Sequence, residues 1–116
     1  HPKIAYVNYC GLPGDKYHAV AEKYLPNGSC GVVSFGVKGG REAAAAFMGH
    51  LKIAAIETHV ADARTCCLHP ASSTHRQMND EQLIAAGVQP DLVRMSCGLE
   101  DKNDLIHDIA QALDQI

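Results

Sequence analysis

The sequence predicts an α/β two-layer sandwich, a mixed or antiparallel sheet of three to four strands with helices on one side. Three observations lead there. Short runs rich in β-branched and aromatic residues alternate with stretches whose apolar residues recur at helical spacing. Most changes between the two are marked by glycine or proline. And 116 residues, 47% hydrophobic and 20% charged, are enough for one modest core in a single domain spanning 1–116.

The first strand is read at 4–9, where Ile4, Tyr6, Val7 and Tyr9 supply strand-forming side chains before Gly11, Pro13 and Gly14 break it. Asp15 then stands ready to cap a helix whose apolar positions Tyr17, Val20, Tyr24 and Leu25 share one face, and Pro26, Asn27 and Gly28 end it. A second strand covers 31–37. Lys38, Gly39 and Gly40 turn the chain into a helix through about Leu51, with Ala44, Phe47, Met48 and Leu51 as its buried stripe.

The apolar stretch 51–57 reads as a strand, and 65–68 as a further short one. Residues 69–80, rich in Pro, Ser, Thr and His, read as a loop. Asn79 and Gln82 have the spacing of a capping box, and Gly87 supplies a stop, so 80–86 is a short helix. The segment from Asp91 is the last strand. A final helix starts at Glu100 or Asp101, with Leu105, Ile106, Ile109, Leu113 and Ile116 as its apolar face.

Composition excludes several functions. A net charge of −3 gives no electrostatic basis for binding nucleic acid or an anionic membrane, since both need clustered Lys and Arg. No apolar run approaches the ~18 residues of a membrane helix, and no signal peptide is read at the start. The first residues, His1, Pro2 and Lys3, carry no initiator Met, which suggests a segment of a longer protein. Five cysteines, an odd number without CxxC pairing, fit reduced and mostly buried thiols in a cytoplasmic protein.

Three constellations carry possible chemistry. The run 34–43 joins a strand, a glycine-rich turn and a helix start, an arrangement able to hold a phosphate, but it lacks both the dinucleotide and P-loop spacings. A tight turn needing positive φ explains it better. His59, His69 and His75 with Cys66 and Cys67 invite a zinc reading, yet no paired cysteines accompany them, so polar loop histidines are the simpler account. His69, Ser72, Ser73 and His75 supply the residue types of a nucleophilic site but crowd one loop without an elbow pattern.

Arg94 is the more informative residue. Strand alternation sets Val93, Met95 and Cys97 on one face and Leu92, Arg94 and Ser96 on the other. On a solvated face Arg94 is an ordinary surface charge; on an enclosed one its guanidinium requires an anion, because an unpaired buried charge costs about 3 to 5 kcal/mol.

Four motifs decide between these. They are Tyr24-Leu25-Pro26-Asn27-Gly28, the run from Ser34 to Ala43, the loop His69-Pro70-Ala71-Ser72-Ser73-Thr74-His75, and the segment Gly87 to Asp101. In this order and across nearly the whole chain, they resemble the C-terminal region of the Cys/Met-metabolism family of pyridoxal-phosphate enzymes, within it the O-acetylhomoserine sulfhydrylase group.

The resemblance implies that Arg94, in the R-x-S-x-G-x-E pattern, binds the α-carboxylate of an amino-acid substrate, a role that suits a rigid cationic fork. A second substrate-binding position falls on Thr65, where a serine is usual, and Cys10 stands where a proline is common. It further implies that pyridoxal 5'-phosphate is bound by an N-terminal domain outside these residues, which also holds the Schiff-base lysine; Lys38 does not match that motif. The implied parent is a homotetramer converting O-acetylhomoserine and a sulfide or thiol into homocysteine or methionine and acetate, and this chain alone is expected to be inactive. Cystathionine synthase or lyase chemistry within the family, and a free-standing anion-binding module, are the alternatives.

Overall fold

A computed structural model describes all residues 1–116. Its sheet has five strands, β1 Ile4–Asn8, β2 Val32–Val37, β3 Ala55–Ile56, β4 Cys66–Leu68 and β5 Leu92–Ser96, in the order β1-β2-β5-β4-β3. All neighbours pair antiparallel except β3 with β4. The sheet is therefore mixed, as expected, with one strand more than anticipated. The stretches at 51–57 and 65–68 shrink to two and three paired residues, too short to display a period, yet both join the sheet.

Helices α1 His18–Tyr24, α2 Gly40–Gly49, α3 Asp80–Ala85 and α4 Lys102–Asp114 complete the chain, with a 3-10 turn at Pro70–Ser72. Alternation builds the core as predicted: Phe35 and Val37 of β2, Cys67 of β4, and Val93 and Met95 of β5 turn the same way. Ala44, Phe47 and Met48 of α2 and Ala112 and Leu113 of α4 cover them. The Phe35 and Phe47 rings meet edge to face at 5.8 Å. One sheet face is thus sealed by α2 and α4, and the side chains between the core positions point to the other.

Local signals operate as expected at several joints. Asn79 accepts the Gln82 amide while Gln82 Oε1 accepts the Asn79 amide, closing the capping box of α3. Gly87 ends that helix at φ +80°. The turn into α2 places Gly39 at φ +106° and Gly40 at +74°, conformations glycine adopts without steric penalty, so the glycine-rich run is a tight turn. Asp101 caps α4 by accepting the Asn103 amide.

Two helix faces differ from expectation. In α1 only Ala21 is buried, while Tyr17, Val20, Tyr24 and Leu25 are exposed. Asp15 accepts the Tyr17 amide in the preceding turn and does not cap α1, which has no side-chain cap. In α4 Ile106 is 64% exposed, and Asp108 takes the inward position instead. The Asp108 carboxylate accepts the amides of Lys52, Ile53 and Ala54 at 2.8, 2.9 and 3.0 Å, capping the turn after α2. Of the five free thiols, Cys66 and Cys67 are buried, Cys10 and Cys97 partly so, and Cys30 is exposed. No helix is long and apolar enough to cross a membrane.

Candidate functional site

Strand β5 lies between β2 and β4, and register sets Ser34 and Leu68 directly beside Arg94. Cross-strand partners share a face, so these three side chains lie together on the side away from α2 and α4. They line an open depression of about 520 Å³ with Thr58, Thr74 and His75 from the loops. Arg94 is its one permanent cation.

The donors of that guanidinium are mostly unspent. Nη2 donates to the Thr58 carbonyl at 2.7 Å. Nε is buried and has no acceptor. Arg41 shows what a structural arginine looks like in the same chain: its Nε and Nη2 pair with Asp80, Nη1 donates to the Ala71 carbonyl at 2.5 Å, and Nη2 reaches the Met78 carbonyl at 3.1 Å. Arg41 thereby ties α2 to the loop bearing Thr74 and His75. Arg64 pairs with Glu57, whereas Arg94 pairs with no carboxylate. An anion entering this depression would therefore meet a guanidinium with no carboxylate partner and with its Nη1 donors unspent.

Thr65 lies elsewhere. It is fully buried, gives its hydroxyl to Glu100 Oε2 and its amide to Oε1, both at 2.8 Å, and accepts the Gly98 amide at 2.9 Å. Its carbonyl accepts the Ala55 amide. Every polar atom of Thr65 is thus engaged within the chain, and the residue is not among those lining the depression. The Thr65 amide, then Glu100's own backbone, then the Thr65 hydroxyl hold the Glu100 carboxyl below the usual carboxylate range.

The same crossing explains Gly98. A Cβ there would lie 2.4 Å from the Ala63 carbonyl oxygen and 2.5 Å from the Thr65 nitrogen, both backbone atoms with no freedom to swing aside. Gly98→Ala is expected to cost about 2 kcal/mol, the range of core overpacking, and to lower the melting temperature by roughly 8 °C in thermal unfolding followed by circular dichroism.

The histidines and cysteines take structural parts. His69 is buried, with Nε2 donating to the Pro90 carbonyl and Nδ1 accepting from Ser72, each at 2.8 Å. Burial lowers its pKa against the pull of the Pro90 carbonyl, which keeps the ring neutral. His75 pairs with Thr74 and lines the depression. Burial pushes the Cys67 thiol up to about 12 and raises Cys66 and Cys97 too, so these are not thiolates at neutral pH. No three His, Cys, Asp or Glu side chains converge as metal ligands.

Of the residues lining this depression, sequence reasoning singles out Arg94 and does not point to Thr58 or Ser34. Ser34 was recoverable once β2 was set antiparallel beside β5. Thr58 acts through its carbonyl, for which no residue type gives a signal.

The sequence profile of the Cys/Met metabolism PLP-dependent enzymes matches residues 1–114. The chain belongs to this family. O-acetyl-L-homoserine sulfhydrylase 1 of Thermus thermophilus is 45% identical over 112 residues, which cover 97% of this chain and 27% of that enzyme. Homocysteine synthase of Schizosaccharomyces pombe is 45% identical over 114 residues, covering 98% of this chain and 27% of the relative. A crystal structure of a putative O-acetylhomoserine (thiol)-lyase from Campylobacter jejuni, which carries N'-pyridoxyl-lysine-5'-monophosphate, superposes with a TM-score of 0.87 at 36% identity, over 98% of this chain and 27% of that one. The chain thus spans about 27% of the length of these relatives. The family depends on PLP, and the residues of this chain do not form a cradle for it: no lysine lines the depression, and Lys38 is exposed on the turn before α2.

Proposed function

We propose that this chain is the small C-terminal, substrate-recognition domain of a PLP-dependent O-acetylhomoserine sulfhydrylase. The parent enzyme converts O-acetylhomoserine and sulfide, or a thiol, into homocysteine or methionine and acetate. One observation carries the reading: Arg94 lines an open depression on the uncovered sheet face with no carboxylate partner and with most of its donors unspent. A substrate α-carboxylate supplies the anion that no side chain of this chain provides, and the unspent Nη1 and Nη2 donors of the planar fork grip it through two parallel hydrogen bonds.

The cofactor, held by an N-terminal domain of the parent, supplies the electron sink for loss of acetate and entry of the sulfur nucleophile. This chain contributes orientation. With the carboxylate fixed on Arg94, the amino group and the acetylated side chain can each point in only a few directions, which is how a remote contact lowers the barrier to chemistry performed elsewhere. The domain alone has no turnover on this reading. The parent is a homotetramer, as the family resemblance implies, and works in the cytoplasm, a setting supported by five unpaired thiols.

The test is Arg94→Ala in the full-length enzyme. KM for O-acetylhomoserine is expected to rise about 300-fold, the equivalent of ~3.4 kcal/mol and within the range for truncating one partner of a hydrogen-bonded charge pair. An unchanged KM in a folded, cofactor-loaded variant would overturn the assignment.

A further inference from the structure

The segment after β3 is stapled at several points to the strand bearing Arg94 and to the turn that follows it. Arg94 Nη2 donates to the Thr58 carbonyl. Ser96, 1% exposed, accepts the Ala61 amide on its hydroxyl at 3.0 Å. The Leu99 amide donates to the Ala63 carbonyl at 2.8 Å, and the Gly98 amide to the Thr65 hydroxyl. Glu100 closes the series by accepting both the amide and the hydroxyl of Thr65. The alternate residues Arg94, Ser96, Gly98 and Glu100 therefore all hold residues 58–65 against β5 and the turn after it.

The held segment is not in a relaxed conformation. Ala61 sits at φ +60°, the only non-glycine residue with positive φ in the chain. A left-handed alanine is strained and persists only where its surroundings over-determine it. The surroundings here are the Ser96 hydroxyl on the Ala61 amide and the Leu99 amide on the Ala63 carbonyl. Without the staples, Ala61 has a downhill path to ordinary backbone, and the Thr58 carbonyl three residues earlier would move with it. That carbonyl is the sole acceptor on the Arg94 guanidinium.

We propose that Glu100 is a positioning residue for carboxylate recognition: through Thr65 it fixes the 58–65 segment, whose Thr58 carbonyl aims the Arg94 fork into the depression. This rests on the carboxylate reading of Arg94 and deepens it. It also assigns Thr65 a part, as the hydroxyl through which Glu100 acts. A hydroxyl suffices for that part, so threonine serves as well as serine.

The test compares O-acetylhomoserine with its α-carboxamide as substrates of the full-length enzyme. Loss of folded or cofactor-loaded protein lowers turnover of both equally; misaiming Arg94 lowers only the preference for the carboxylate. Thr65→Val removes the hydroxyl at constant shape, and Glu100→Gln removes one of the two acceptors. Both are expected to reduce the preference about tenfold through KM, with kcat for the carboxylate substrate changed less than about twofold, and Thr65→Ser is expected to restore it. Faster hydrogen exchange at the Ala61 and Thr65 amides in Glu100→Gln provides a readout independent of activity. Should Thr65→Val fail to fold, Ser96→Ala frees the Ala61 amide without disturbing Thr65 and carries the same expectation. Folded variants with an unaltered preference overturn the positioning role. If Arg94→Ala collapses the preference while they do not, only this inference falls; if Arg94→Ala leaves it intact as well, the carboxylate reading falls with it.

Discussion

Arg94→Lys in the full-length enzyme is expected to raise KM for O-acetylhomoserine about 30-fold, although the charge is conserved. A guanidinium carries five N–H donors in a rigid plane. Thr58 takes one of the two Nη2 hydrogens of Arg94, so the other and one from Nη1 remain as a parallel pair for a carboxylate. An ammonium offers a point charge whose nearest fixed acceptor is the same Thr58 carbonyl. It can satisfy that oxygen or turn toward the substrate, but it cannot present two parallel bonds. Losing one charge-assisted bond of the pair costs ~2 kcal/mol, which sets the 30-fold figure. Steady-state kinetics should resolve Lys from Ala by about tenfold in KM. Equal values for the two would mean that the forked geometry contributes nothing and that Arg94 acts by charge alone.

Asp108→Ala is expected to destabilise the fold by about 3 kcal/mol, lowering the melting temperature by roughly 12 °C. Three backbone amides, those of Lys52, Ile53 and Ala54, depend on this one 2%-exposed carboxylate, and Gln111 Nε2 joins them at 3.1 Å. Each buried donor left without an acceptor costs ~1 to 3 kcal/mol; the exposure of Lys52 and Ile53 lets water recover part of that, which keeps the total near the lower bound. Asp108→Asn keeps one acceptor oxygen and should lose about half as much.

The pH dependence of the same group has a definite sign. Burial opposes ionisation of Asp108, but the amides of Ala54, Lys52 and Ile53 with Gln111 outweigh it and hold the pKa below its ordinary value. A depressed folded pKa means the unfolded chain binds the proton first. The stabilisation is therefore complete above ~4, the unfolded aspartate value, and is lost as pH falls through the lower folded value. Melting curves between pH 7 and pH 3 should show an acid limb that Asp108→Asn flattens. Identical limbs in the two proteins would place the acid sensitivity in other carboxylates.

Legibility of this molecule in its sequence divides by the range of the forces involved. Capping at Asn79 and Gln82, the stop at Gly87 and the turn at Gly39 and Gly40 are decided within four residues, and each appears where expected. Alternation along Leu92–Ser96 was equally local and put Arg94 on the correct face. Periodicity says which side chains share a face, not what that face meets. The stripe of α1 was visible, its exposure was not. In α4 the apolar-stripe rule passed over Asp108 in favour of Ile106, because nothing near residue 108 announces three amides some 55 positions earlier. The partner of Thr65 is equally out of local view: its hydroxyl donates to Glu100, 35 residues downstream. The role proposed for Arg94 rests on family resemblance and not on strand pattern alone. That its guanidinium meets one carbonyl and no carboxylate is a property of packing that no spacing encodes.

The sheet's two rims bear on how the molecule behaves when crowded. An unpaired strand edge is a template on which another chain can add, the first step toward fibrils. At one rim β3 offers only Ala55 and Ile56, too short to seat an incoming strand. At the other, β1 breaks register between Ile4 and Tyr6, and such an irregularity twists a strand away from the flat geometry that stacking requires. Growth into an extended cross-β ribbon is thereby obstructed at both ends, even though the sheet never closes on itself.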